Sequence, residues 1–142
     1  MSDLDLPDVN VLVALLHPGH VHHHVAQQWF ANAKRFATTA VTEAGLLRMA
    51  LNPTVTGTEA STAAALASLR SLRSDARAQF LPDDSSLAHA TVDLIGLMGH
   101  KQVTDLHLVN LAACHGARLV TLDKKIRLVL APGDQACVVT LS

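Results

Sequence analysis

LDLPDVNVLVALL, residues 4–16, is the stretch on which the fold turns. Leu4 to Pro7 is short, apolar in alternation and bounded by acids, which reads as a strand ending at Asp8. The apolar run Val9 to Leu16 follows without a turn. Periodicity alone leaves two readings, a prolonged strand or a short helix capped by Asp8, and the cap favours the helix. HPGH, residues 17–20, then breaks the run. The unit is a strand that hands over to a helix at a carboxylate.

Outward from that unit the handover recurs. Arg35 to Thr39 reads as a second strand and Val41 to Leu51 as the helix after it, with Glu43 in its first turn. Arg118 to Leu122 is a fourth strand, and Asp123 begins a short helix through about Leu130. Thr104 is expected to cap a helix from Asp105 to about His115, ended by Gly116. Between these lie a helix from His22 to Lys34, with Val25, Trp29 and Phe30 inward, and a loop from Thr54 to Glu59. A long helix is expected from Ser61 to Ala78, then a very short third strand at Phe80 and Leu81, stopped by Pro82. Asp84-Ser85-Ser86 is expected to cap a further helix ending near Gly96 or Gly99, and Ala136 to Leu141 is the last strand. Strands alternating with helices predict one α/β domain over residues 1–142, a three-layer α/β/α arrangement around a mainly parallel sheet.

Composition narrows the setting. Hydrophobic residues make up 49% and aromatics 3%, so a folded core must be built from Leu, Val and Ala. The longest fully apolar stretch, Val11 to Leu16, is far short of the ~20 residues that span a bilayer. The start, MSDLDLPD, carries no Lys or Arg, which predicts no secretory signal and a cytoplasmic protein. Cys114 and Cys137 match no zinc spacing and read as reduced and packed. A net charge of −1 offers no global attraction to nucleic acid, so any such contact must be local.

In a parallel α/β sheet the strand-to-helix handovers share one rim, where ligands bind. Asp8, Glu43, Asp105 and Asp123 are all expected there. Each also sits near a helix N-terminus, where an acid is favourable as a simple cap. Glu43 is harder to read as a cap, because it lies between Thr42 and Ala44 in an otherwise apolar helix start. Four crowded carboxylates cannot all stay ionised without a cation. The expectation is a divalent-metal site, and the chemistry that suits it is phosphodiester cleavage.

The segments LPDVNVLVALL, TTAVTEAGLLRMAL, VTDLHLVNLAACHG and ARLVTLDKKI, in this order and spacing, resemble the PIN-domain nucleases, most closely the VapC toxins of bacterial toxin–antitoxin pairs. The resemblance runs from Leu6 to about Leu130. It implies a Mg²⁺-dependent endoribonuclease, with Mn²⁺ as a substitute, in which Asp8 and Asp105 hold the principal ion. Glu43 would shape the site, bind a second ion or orient water, and Asp123 would bind through water or a second metal. Asn10 and Thr121 would orient carboxylates and substrate. Val9 departs from the pattern, since a small hydroxyl residue often stands there. Single-stranded or loop RNA is the implied substrate, and a cognate antitoxin the implied partner. The high apolar fraction adds a homodimer.

Other signals carry bland readings beside functional ones. His17, His20, His22, His23 and His24 could hold a transition metal, with His20 and His24 at helical spacing, yet no Cys, Asp or Glu nearby completes the set. Arg70, Arg73 and Arg77 fall at i, i+3 and i+7 on the expected long helix and make a basic stripe, as a solvated face or a phosphate contact. Arg48, Lys124, Lys125 and Arg127 are candidate RNA contacts. Two rivals stand beside the nuclease. One is a phosphatase with Asp8 as nucleophile, although Asn10 occupies the place of its general acid. The other is a non-catalytic PIN-like module that binds protein or RNA.

Overall fold

The computed structural model describes residues 3–57 and 61–142. Strand β1 (Leu4–Pro7) passes to α1 (Val9–Leu16) at Asp8, so the helical reading of the apolar run holds. Then come α2 (His23–Asn32), β2 (Arg35–Thr39), α3 (Ala40–Ala50), α4 (Pro53–Thr56), α5 (Thr62–Arg73) and β3 (Ala78–Leu81). The chain closes with α6 (Val103–Cys114), β4 (Arg118–Thr121), α7 (Lys124–Leu128) and β5 (Val138–Thr140).

The five strands lie in the order β3-β2-β1-β4-β5, and every pair is parallel. Strand order therefore reverses between β1 and β4, and ligand sites of open parallel sheets form at such a switch. Alternate side chains divide the core between two faces. Leu6, Ala37 and Leu119 pack with Leu106, Val109 and Ile126 of α6 and α7. Phe36 and Val120 pack on the opposite side with Val11, Trp29, Leu46 and Leu69. Helices thus cover both faces, giving three layers. Among the described residues no helix is long and apolar enough to cross a membrane.

Several boundaries depart from the sequence reading. Helix α5 stops at Arg73 rather than Ala78, because Asp75 accepts the Arg77 N–H and its guanidinium and turns the chain into β3. The basic stripe is broken with it: Arg77 leaves the helix, donates to the Phe30 and Ala33 carbonyls and covers the Phe30 ring. No α-helix follows Asp84–Ser86, only a 3-10 turn at Leu87–His89. The side chain of Asn110, fully buried in α6, accepts from the Thr91 and Val92 N–H groups and holds that segment in a bend outside any helix. Gly96 presses against Val129, where an added Cβ would meet the carbonyl oxygen at 2.3 Å. Part of the loop after Pro53 is a helical turn, α4, capped by Asn52. Glu59 lies outside the described residues. Cys114 is exposed rather than packed, and Cys137 is half-buried.

Candidate active site

Asp8 is the N-cap of α1, with an extended backbone that aims its side chain at the rim. One carboxylate oxygen accepts from the Val9 N–H at 2.8 Å, and the other accepts from the Thr121 hydroxyl at 3.1 Å. The Asp8 backbone N–H donates to the Val120 carbonyl, which fixes the end of β1 on β4. Only 8% of Asp8 is exposed. Burial raises its pKa, and the charge of Asp123 adds to the rise against the two hydrogen bonds.

Thr121 is the hub of this corner. Its buried hydroxyl accepts from the Asp123 backbone N–H at 3.0 Å while donating to Asp8. Asn10 reaches the same hydroxyl at 3.5 Å and accepts from the Leu122 N–H at 3.3 Å. Asp123 caps α7 by accepting from the Lys125 N–H.

Asp105 does not open α6. The helix begins at Val103 with no side-chain cap from Gln102, so Thr104 is not the cap and Asp105 sits in the first turn. Burial, then the charges of Asp8 and Asp123, push its pKa up to about 6. The charges of Asp8 and Asp123 thus bear on Asp105, and that of Asp123 on Asp8. Asp105 and Asp123 line one cavity of about 350 Å³ with Lys101, Gln102 and Lys125.

Glu43 is placed differently. In the first turn of α3, it accepts from the Thr38 hydroxyl at 2.6 Å and faces Arg73 at 3.6 Å. It lines another cavity, with Arg70, Arg73 and Ser74. The structure thus lets the charges of Asp8 and Asp123 act on Asp105, and pairs Glu43 instead with Thr38 and Arg73.

Among the described residues no three His, Cys, Asp or Glu side chains stand close enough together to enclose a metal as they are. The donor set nevertheless suits a hard divalent cation. It is all oxygen, no Lys or Arg forms a salt bridge with Asp8, Asp105 or Asp123 among the described residues, and Asp105 accepts no hydrogen bond there. The histidine run makes no comparable site: His20 accepts from the His22 N–H, and His23 engages the Ala14 carbonyl.

Lys124, Lys125 and Arg127 are exposed on α7, and Arg48 is exposed in the last turn of α3. Sequence reasoning missed Lys101, which lines the Asp105 cavity, because no motif or period singles it out. It missed Thr38 and the approach of Arg73 to Glu43. Trp29, expected to face inward, is buried and donates to Asp5, which Arg118 also binds.

The PIN domain, as a sequence family, matches residues 6–129. The chain belongs to the PIN-domain family. Within it the chain is a homologue of the VapC proteins: it is 45% identical over 121 residues to Ribonuclease VapC39 of Mycobacterium tuberculosis, covering 83% of this chain and 87% of that one. With Ribonuclease VapC38 of the same organism it shares 46% over 120 residues, covering 83% and 84%. The fold matches VapBC2 of Rickettsia felis, solved on a promoter DNA fragment, with a TM-score of 0.60 at 13% identity over 98% of this chain and 99% of that one. It also matches M. tuberculosis VapC20, a sarcin-ricin-loop-cleaving toxin, with a TM-score of 0.55 at 10% identity over 80% and 85%.

Proposed function

We propose that this VapC homologue is a Mg²⁺-dependent endoribonuclease, the toxin of a toxin–antitoxin pair. The observation that carries the reading is that the charges of Asp8 and Asp123 act on Asp105, three acids from separate parts of the chain with no salt bridge to a Lys or Arg among the described residues. Asp8 and Asp105 would hold the cation, with Asp123 beside them. When bound, a divalent cation supplies an activated water and offsets charge on the phosphoryl group in flight.

The chain's own residues prepare that site. Val9 N–H and the Thr121 hydroxyl fix both oxygens of Asp8, and Asn10 and Asp123 N–H fix Thr121 in turn. Lys101 and Lys125 on the cavity wall are placed to meet phosphates, with Lys124 and Arg127 on the outer face of α7. Glu43, held by Thr38, would shape the substrate side or orient water. An antitoxin would silence the site by covering the rim. A homodimer would bury Ile95, Met98 and Leu128, exposed at 71%, 84% and 76%.

The test is cleavage of single-stranded RNA by purified protein with Mg²⁺, with product ends mapped. Wild type leaves 5′-phosphate and 3′-hydroxyl ends, EDTA stops it, and Asp8→Asn loses cleavage while keeping its circular dichroism spectrum. An Asp8→Asn protein that cuts at nearly the wild-type rate refutes the assignment.

A further inference from the structure

Aromatic side chains are scarce in this protein, and three of the four gather in the core. Trp29 and Phe30 lie 6.3 and 5.3 Å from Phe36, centroid to centroid. Phe80 stands apart. It is 40% exposed near the carboxyl end of edge strand β3. Its register partner on β2 is Thr38, so the two side chains share a face, and Thr38 is the residue that holds Glu43. The Arg73 guanidinium lies 4.8 Å from the Phe80 ring centroid, with its Nε 3.6 Å from Glu43. Arg73 is still 47% exposed along its side chain.

Stability does not account for this group. An exposed ion pair contributes about 1 kcal/mol or less, and a phenyl ring left 40% exposed forgoes a large share of its burial gain. Recognition does account for it. Unpaired bases stack on phenyl rings and on guanidinium planes, and an aromatic ring beneath an arginine holds that plane flat. We propose that Phe80 and Arg73 form a seat on which one splayed base of single-stranded RNA stacks beside Glu43, which rests on the ribonuclease reading above. Arg70, lining the same cavity, is positioned for the adjoining phosphate. Base-paired RNA would be rejected, because its bases cannot leave the helix to reach the ring.

The experiment separates binding from cleavage. In an Asp8→Asn background, the affinity for a fluorescein-labelled single-stranded oligoribonucleotide of mixed sequence is measured for Phe80→Leu, Phe80→Trp and Arg73→Lys. The seat predicts that Phe80→Leu and Arg73→Lys each weaken binding at least about fivefold and that Phe80→Trp retains it. With Asp8 restored, Phe80→Leu raises KM far more than it lowers kcat. Equal binding by Phe80→Leu and its parent overturns the seat, and leaves the nuclease reading standing if wild type cleaves RNA. A wild type that cleaves no RNA, with an Asp8→Asn parent that binds none, overturns both.

Discussion

Asp105 carries the clearest consequence at the scale of one residue. Its carboxyl titrates at about 6 in the fold, against 3.8 for an unperturbed aspartate. The folded state therefore binds that proton more tightly than the unfolded chain between those values, so stability falls as pH rises through the window. In EDTA, wild type is expected to melt higher at pH 5 than its other groups alone would give. Asp105→Asn should flatten that dependence and melt higher than wild type at pH 7. Thermal melts at the two pH values check both, and a lower melting temperature for Asp105→Asn at pH 7 counts against the crowded-carboxylate picture. Thr121→Val should act in the opposite sense. It strips a buried hydroxyl from Asp8 and leaves the Asp123 N–H without its acceptor, costing about 1–3 kcal/mol in chemical denaturation, whereas Thr121→Ser should retain most of it. Asp8 and Asp123 were legible as acids because they stand where short apolar strands end, whereas Thr121 was singled out only through the resemblance to the family. The pairing of Glu43 with Thr38 and Arg73 was not, since it joins three elements whose register no local pattern encodes.

At the scale of elements, α1 and α3 approach closely at Gly45. A Cβ on Gly45 would lie 2.6 Å from the Val9 Cγ2, so the glycine lets the helix that carries Glu43 approach the helix that Asp8 caps. Val9 is the position where the resemblance to the family led one to expect a small hydroxyl, and here its bulk is matched by the absent side chain of Gly45. Gly45→Val should lower stability by roughly 1–3 kcal/mol through overpacking. Adding Val9→Ala should recover part of that loss, and a double-mutant cycle measured by urea unfolding checks it. Purely additive losses would show that the two positions do not press on each other. Strand-to-helix units such as residues 4–16 were readable because apolar period and cap agree. The segment after Asp84 was not, because its Ser-rich start looks like a helix cap. Its conformation is imposed from outside, by Asn110 accepting backbone N–H groups and by Val129 abutting Gly96. The end of α5 was misread for a like reason, as Asp75 and Arg77 make their turn by a side-chain contact between stretches rich in the helix formers Ala, Leu and Arg.

For the whole molecule, the order of strands is what matters. β1 lies at the centre of the sheet, with β2 and β3 to one side and β4 and β5 to the other, so the ends of β1 and β4 adjoin at the switch. Residues 8 and 123 meet there, and α6 brings Asp105 to the same corner from the opposite layer. The sequence pattern implied a shared rim but could not give this order, because nothing local says which way each crossover runs. If the exposed Ile95, Met98 and Leu128 lie between two copies, Leu128→Glu should lower the sedimentation coefficient at equal concentration, and an unchanged value would place the contact elsewhere. The central claim, that acids from distant parts of the chain share one divalent cation, is tested most directly by titrating Mg²⁺ and Mn²⁺ into metal-stripped protein while following its melting temperature. Wild type should rise steadily with cation concentration, and Asp8→Asn and Asp105→Asn should each lose most of that rise. A wild-type melting temperature indifferent to both ions, or variants that rise as far as wild type, would contradict it.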